Sequence, residues 1–407
     1  MSLIDLNQSF RRYAFIALGF LMPYSTASIS ILLILLSIAV LVDKSSYQRL
    51  YENLKTGYFQ SFFLFFLLHI VGFLWLNVES INWHKSWMIW IIPILAVAVD
   101  HETARKGVFA FLISMLFAEI YVYYNIFSIW EDYLRGAYFS EMLPMSHVNY
   151  NPFLAISIGF LLTILLSRRN SNWKITLIGV LVLLTMVINM FLTGGRAGQI
   201  SFVYVWIAIS FFFIKENKKL LIAMIMSLIL ILITAWNTSP VFKNRVSDGI
   251  DRIILYQKSI DSKSTQEDLY NPVGLRLHWY EHSIKLFTNS PIYGHGTGSF
   301  ENKFKNYADQ SEGLILKTSN PHSYHILILF QFGLIGLIIY LNIFIQQIRA
   351  AYSLRKDYEF RAMAFIFPLF FILINFFDSY LWSHQTQAIF AYLSTILYRP
   401  DLYVKPQ

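Results

Sequence analysis

The sequence predicts an all-α polytopic membrane protein, because it is too apolar and too poor in charge for a soluble domain. Of its 407 residues, 56% are hydrophobic and 14% are charged, whereas about 25% are charged in a typical soluble domain. Repeated apolar runs, each bounded by polar residues, have the period and length of membrane-spanning helices. We therefore expect about twelve transmembrane helices and one large structured loop.

The apolar runs define the predicted helices in order along the chain. They lie near residues 12–23, 26–42, 58–77, 87–99, 107–127, 150–167, 174–192, 197–214, 219–236, 323–346, 361–377 and 380–398. The first and fourth are short for a crossing of about 20 residues, which tilting or flanking Arg and Trp side chains accommodate. The chain thus divides into helices 1–9 over 1–236, a loop with short surface helices over 237–322, and helices 10–12 with a tail over 323–407.

The distribution of basic residues orients the helices. With the N-terminus inside, the inside segments hold most of the lysines and arginines, beginning with Arg11 and Arg12. The short outside loops hold only Lys85, Arg135 and Arg196. Basic residues concentrate on the cytoplasmic side of membrane proteins, so we expect both termini to be cytoplasmic and the long loop to lie on the outer face.

Several classes of chemistry lack their signatures in the sequence. Cysteine is absent, which excludes disulfides, thiol chemistry and cysteine-ligated metals. No Walker A motif is present, which argues against direct use of ATP. No DxD or ExD pair at a suitable spacing on an outer loop supports a metal-dependent reaction with nucleotide sugars, and no basic cluster indicates nucleic-acid binding. We expect no metal and no cofactor.

Two arginines at apolar boundaries are candidate anion-binding residues. Arg196 follows Gly195 in the segment LTGGRAG, and Arg276 precedes Trp279 in GLRLHW. Glycines let a backbone approach a bulky ligand, and a guanidinium matches phosphate oxygens in a bidentate manner. The alternatives are a snorkelling arginine at a helix end for Arg196 and a solvated surface charge for Arg276. The spacing of Arg245 and Arg252 is more typical of a solvated helical face.

A histidine at the start of the tenth apolar run is a candidate general base. His322 follows Pro321, and the positive end of a helix dipole keeps an imidazole neutral and able to accept a proton. The alternative is an interfacial histidine bound to water. His325, one turn on, is better interpreted as structural support than as half of a metal site. Asp378 could orient the histidine, pair with an arginine or cap a helix, and Glu119 is an intramembrane acid without an assigned role.

Together these segments resemble the O-antigen ligase and O-antigen polymerase superfamily of bacterial cell-envelope glycosyltransferases. LTGGRAG is similar to the family's Leu-Thr-x-Ser-Arg-Gly segment, with glycine where serine is common. The second block resembles an arginine, a tryptophan and a glycine-rich turn, and PHSYH resembles Pro-His-Asn with serine in place of asparagine. The matching positions are Arg196, Arg276, Trp279, Asn289, Pro291, Gly294, Gly296, Gly298, Phe300, His322, Gly333 and Gly336.

The resemblance implies a GT-C-like inner-membrane enzyme with a periplasmic active site. It would transfer a glycan from undecaprenyl pyrophosphate to a sugar hydroxyl of lipid A-core, with inversion and without a metal, in lipopolysaccharide biosynthesis. His322 would be the base and Arg196 and Arg276 would bind the pyrophosphate. The supporting residues would be Asp378, Gly195, Trp279 and His325.

Three other functions remain open at this stage. The single dominant outer loop favours a ligase over an O-antigen polymerase or a protein O-oligosaccharyltransferase, which share the same motifs. An envelope-precursor transporter, which would use the arginines but no base, is the alternative from another class. Against it, the two halves of the sequence show no matched pair of helices broken by Gly or Pro.

Overall fold

The computed structural model describes residues 3–74, 83–134, 143–167, 172–214, 218–262, 271–311, 315–354 and 357–399, and the regular secondary structure in these ranges is helical. The α-helices are α1 (Leu3–Leu21), α2 (Thr26–Leu41), α3 (Ser46–Leu54), α4 (Gly57–Leu74), α5 (Trp87–Trp90), α6 (Ile92–Leu95), α7 (His101–Ser128), α8 (Trp130–Leu134), α9 (His147–Ser167), α10 (Trp173–Leu192), α11 (Arg196–Phe212), α12 (Lys218–Thr238), α13 (Pro240–Ser262), α14 (Pro272–Phe287), α15 (Phe300–Asp309), α16 (Tyr324–Ser353), α17 (Tyr358–Phe377) and α18 (His384–Leu397). Three 3₁₀ turns cover Trp83–Ser86, Ala96–Ala98 and Tyr380–Trp382.

Within the described residues, seven helices are long and apolar enough to cross a membrane, namely α4, α7, α9, α10, α12, α16 and α17. The pair α2 and α3, bent by 105°, raises the number to eight if it forms one span. A multi-pass membrane protein is therefore confirmed, whereas the count of twelve is not. Charged residues in the first half of α1, and the division of the run near 87–99 into short turns, account for part of the difference.

The centre of the bundle is α9, which packs against α7, α10, α11 and α17. Most of the residues in the apolar part of α9 are buried, whereas the large side chains of α12 face outward. Between α12 and α16, the predicted loop region folds into α13, α14 and α15. The outer-face position of this region and the domain boundaries at 236 and 322 stay predictions.

One spanning helix is interrupted by a turn from the loop region. In α16, Gly333 has φ 65° and ψ −161°, and this breaks the helical hydrogen bonding. The glycine-rich turn over 290–299 supplies the missing partners. The four backbone bonds run from His295 N–H to Phe330 O (3.0 Å), Gly296 N–H to Gln331 O (2.7 Å), Leu334 N–H to Pro291 O (2.9 Å) and Ile335 N–H to Ile292 O (3.3 Å).

The same turn is also bonded to α4. Thr297 donates its backbone N–H to Gly72 O at 3.2 Å and its hydroxyl to His69 O at 2.7 Å. An apolar environment tolerates a broken helix only where other groups satisfy the freed backbone. The turn therefore fixes the loop region against two spanning helices.

We expect Gly333→Ala to destabilise the protein. A Cβ at Gly333 would lie 2.3 Å from Ile292 O, and its φ of 65° disfavours any other residue, so the loss should be roughly 2 kcal/mol or more. Thermal unfolding of the detergent-purified protein measures it. Gly249→Ala in α13 is the matched control: its Cβ has no neighbour nearer than 3.8 Å, and alanine stabilises a helix interior by about 0.5–1 kcal/mol. Equal melting temperatures for the two variants would contradict this role of Gly333.

Candidate active site

His322 occupies an unusual backbone conformation just before α16. Its φ is 54°, in the left-handed region, where a residue with a side chain is disfavoured by about 1–2 kcal/mol. Two hydrogen bonds hold it there. Its N–H donates to Asn320 Oδ1 at 3.0 Å, and its carbonyl accepts from the Tyr280 hydroxyl at 2.7 Å. Backbone strain held by specific contacts is common at functional sites.

The imidazole of His322 lies between an acid and an aromatic ring. Its Nδ1 is 3.1 Å from Asp378 Oδ1, and the Trp279 ring is stacked on it with centroids 5.1 Å apart at an angle of 21°. In the neutral ring, an Nδ1–H that donates to the carboxylate leaves the lone pair on Nε2. The side chain is 31% exposed. The arrangement thus orients an accessible imidazole so that Nε2 can accept a proton.

Asp378 connects His322 to Arg276. It directly follows α17, and its Oδ2 lies 3.4 Å from Arg276 Nη2 while Oδ1 also accepts the Ser379 N–H at 2.7 Å. Burial acts to raise the pKa of Asp378. The hydrogen bond from His322, the charges of His322 and Arg276, and the Ser379 amide outweigh burial and hold that pKa below its ordinary value. Asp378 is therefore ionised at neutral pH.

Helix α14 carries Arg276, Trp279 and Tyr280 to the site. Asn271 begins the helix by accepting from the N–H groups of its first turn. Arg276 and Tyr280 are four residues apart and so share one face. Trp279 donates its indole N–H to Leu316 O at 2.9 Å. Burial raises the pKa of Tyr280 to about 12, so its hydroxyl stays protonated as it bonds the backbone at His322.

Arg196 belongs to a group of four guanidinium side chains that we call the arginine cluster: Arg196, Arg245, Arg252 and Arg276. Arg196 donates Nε–H to Arg245 O at 3.0 Å, and the charges of the other three act on it. Asp248 lies between two members, with Oδ2 3.8 Å from Arg196 Nη2 and 3.5 Å from Arg252 Nη2. The excess positive charge suits a polyanion.

The interpretation of Arg245 and Arg252 as a solvated face was therefore incomplete. Both lie on α13, which packs against α10 and α14, and this contact places them near Arg196. Their seven-residue spacing put them on one face of a helix. It did not indicate that this face meets the start of α11.

Gly195 and His325 have structural surroundings. A Cβ on Gly195 would lie 2.5 Å from the side-chain oxygen of Asn151 in α9, and one on Gly198 would lie 2.3 Å from the Asn151 backbone. These glycines allow α11 to approach α9 closely. His325 is buried, donates from Nε2 to Ile372 O at 2.9 Å and packs against Phe376 at 4.2 Å between ring centroids.

The sequence did not indicate the roles of Asn320, Asp248 and Tyr280. Asn320 Oδ1 accepts both the His322 N–H and the Ser379 hydroxyl, the latter at 2.7 Å. Asn320 precedes the Pro-His pair, and this Asn-Pro sequence is a turn signal that could have indicated its role. Tyr280 carried no comparable signal, because its partners lie 42 and 96 positions away in the sequence. The spacing of Asp248 from Arg252 indicated only a pair within one helix, and the contact of Asp248 with Arg196 arises from packing.

Residues 181–341 match a family model described as O-antigen ligase. The range contains Arg196, Arg276 and His322, while Asp378 lies beyond it. The match confirms the resemblance to the O-antigen ligase superfamily, whose domain this part of the chain carries. It supports a membrane enzyme of the glycosyltransferase type, as ligases and polymerases of this family are.

The chain is also similar to an uncharacterized protein of Haemophilus influenzae, with 31% identity over 157 residues. The similarity covers 38% of this chain and 37% of that protein. The chain therefore spans little more than a third of the length of this relative.

We expect the stabilising effect of Asp378 to be lost in acid. Because its folded-state pKa is lowered, its contribution is present above the unfolded pKa of about 4 and disappears as the pH falls through the lower, folded-state value. The difference in melting temperature between wild type and Asp378→Asn should be largest near neutral pH and should narrow below about pH 4. A difference that widened in acid would contradict this.

The control for that experiment is Asp309→Asn. Asp309 pairs with Lys317, and both side chains are about half exposed. An exposed pair contributes about 0–1 kcal/mol, so this variant should melt close to wild type over the whole pH range.

Proposed function

We propose that the protein is an O-antigen ligase. It transfers the O-antigen glycan from undecaprenyl pyrophosphate to a sugar hydroxyl of lipid A-core, at the periplasmic face of the bacterial inner membrane. The observation that carries the proposal is the pairing of His322 with Asp378 beside the arginine cluster. An oriented base next to concentrated positive charge suits attack by a hydroxyl on a sugar bound to a phosphate.

In the proposed reaction, His322 activates the acceptor. Nε2 takes the proton of the acceptor hydroxyl while the oxygen attacks the anomeric carbon of the donor. The bond from that carbon to the phosphate oxygen breaks, and its electron pair leaves with undecaprenyl pyrophosphate. Attack opposite the leaving group inverts the anomeric centre. Asp378 stabilises the imidazolium that forms.

The arginine cluster stabilises the leaving group. Negative charge grows on the pyrophosphate as the bond breaks, and each fixed donor aimed at it contributes roughly 3 kcal/mol. Arg276 is 36% exposed and only 3.4 Å from Asp378, so it can contact the phosphate while it remains beside the carboxylate. The donor is already activated, so the residues need supply only a base and positive charge.

The acceptor distinguishes this function from its rivals. A polymerase would extend repeat units on the same lipid carrier, a protein O-oligosaccharyltransferase would use a hydroxyl of a protein, and a transporter would form no new bond. The pairing of His322 with Asp378 favours an enzyme over a transporter. Incubation of the purified protein with the lipid-linked glycan and each acceptor in turn decides: joined product with lipid A-core alone supports the ligase.

His322→Ala should lower the transfer rate by roughly 10²–10⁴-fold, because a positioned base contributes that much. The assay counts joined product by gel and mass spectrometry, with the amount of membrane-inserted protein measured in parallel. His282→Asn is the matched control, since His282 lies on α14 and contacts Tyr307 and His278. If His322→Ala transferred the glycan at the wild-type rate, His322 would not be the base.

Arg196→Lys should slow transfer roughly tenfold or more, although it keeps the charge, because lysine cannot make a bidentate contact with phosphate. Arg12→Lys serves as the control, since Arg12 pairs with Glu102 away from the arginine cluster. If Arg196→Lys retained the wild-type rate, Arg196 would not contact the pyrophosphate.

A further inference from the structure

A polar pocket of about 440 Å³ opens beside Asp378. It lies between the 3₁₀ turn Trp83–Ser86, the start of α9 and the segment that joins α17 to α18. Its volume falls in the range of roughly 300–1,000 Å³ that is usual for small-molecule sites. The side chains that matter here are Lys85, Asn149, Asn320, Asp378, Ser379 and Trp382.

The pocket adjoins the support of His322 rather than the arginine cluster. Asp378 holds the imidazole, Asn320 holds the His322 backbone, and both line the pocket. The four arginines of the cluster are absent from its lining. If the arginine cluster holds the pyrophosphate of the donor, the pocket is the space beside His322 that remains for the acceptor.

Lys85 gives the pocket a cation of its own. Its Nζ lies 3.9 Å from the centroid of the Trp382 ring. Glu301, which is not among the lining residues of the pocket, acts on Lys85 by its charge. Lys85 is also one of the few basic residues that the predicted topology places in a short outer loop, where the charge bias disfavours it.

The other lining groups suit a carbohydrate. Asn149 donates an amide N–H to Gln385, and Asn320 Oδ1 accepts from His322 and Ser379. The groups that can bond sugar hydroxyls are therefore the amide oxygen of Asn149, the amide N–H groups of Asn320 and the hydroxyl oxygen of Ser379 as an acceptor. Trp382 adds an aromatic surface with a polar N–H. The pocket offers amides, hydroxyls, one indole and one ammonium, and its lining carboxylate, Asp378, is already bonded to His322 and Arg276. This set suits a sugar whose negative charge pairs with Lys85.

We propose that this pocket, the acceptor pocket, binds a sugar of the acceptor, and that Lys85 recognises an anionic group on that sugar, either a phosphate or a carboxylate. The inference rests on the proposed function, because it takes His322 as the base for the acceptor hydroxyl. It adds the position of the acceptor and the charge by which it is selected.

The test compares Lys85→Met with Lys85→Arg in the transfer assay. Methionine keeps a chain that packs on Trp382 but removes the charge, and should raise the KM for lipid A-core roughly tenfold, as expected for a lost charged hydrogen bond. The rate at saturating acceptor and the KM for the lipid-linked donor should stay as in wild type. Lys85→Arg should restore most of the acceptor KM.

Two results would overturn the proposal. A rise in the donor KM, with the acceptor KM unchanged, would assign the pocket to the donor. Equal acceptor KM values for wild type and Lys85→Met would show that no anion is recognised there. Lys174→Met is the matched control, since Lys174 also lies near an indole, 5.9 Å from the Trp173 ring, and should leave both KM values unchanged.

A further arm identifies the anion. If the group is a phosphate, phosphatase treatment of lipid A-core should weaken its binding to the wild-type protein. The weakened binding should then equal that of untreated lipid A-core to Lys85→Met. If treatment changes nothing while Lys85→Met still weakens binding, the group is a carboxylate. Titration of the purified protein in nanodiscs measures both cases without any donor.

Binding also separates this inference from the proposed function. If the protein bound lipid A-core through Lys85 but made no joined product, the acceptor pocket would be supported and the ligase function contradicted. If transfer were normal but independent of Lys85, the ligase function would be supported and the role of Lys85 contradicted.

Discussion

Backbone hydrogen bonding at Gly333 is the constraint on which the arrangement of the site depends. The break in α16 frees polar groups inside an apolar bundle, and the turn over 290–299 meets them. That turn follows α14 directly, so the bonds that complete α16 also fix the end of α14. Arg276 and Trp279 approach His322 from a helix whose position is set by a spanning helix and by α4. A surface loop thereby acquires the rigidity that a geometrically demanding site needs.

Asp378 has two partners of different kinds. Its Oδ1 orients the histidine and its Oδ2 faces an arginine. The carboxylate therefore balances a cation that would otherwise repel an imidazolium. It also separates a region that favours a base from a region that favours a bound anion. A reaction that takes a proton on one side and releases a phosphate on the other requires that separation.

The sequence was informative where chemistry and local geometry coincide. His322 was predicted from its place before an apolar run, and the superfamily from three ordered motifs, because such signals lie within a few consecutive residues. The sequence left three interpretations of Asp378 open, since its partners are 56 and 102 positions away in the chain. Lys85 was distinguished only as a basic residue that the predicted topology places in a short outer loop. Its contact with Trp382 arises from packing, which periodicity does not specify.

The predicted spans illustrate the same limit. Long runs such as α10 and α12 were identified to within two residues of their ends, because hydrophobic length is a direct signal, whereas α16 continues seven residues beyond its predicted end at 346. The run near 87–99 folds as short turns instead. Its apolar residues are buried by neighbouring helices, and burial in protein produces the same composition as exposure to lipid.

The backbone of His322 bears on any attempt to engineer this protein for stability. A left-handed φ is a position at which glycine relieves strain, so a selection for heat resistance alone would favour replacing this histidine. The variant that survived best would then be the one without the imidazole. Thermostable forms of the protein should accordingly be sought among substitutions away from the segment that joins Asn320 to α16.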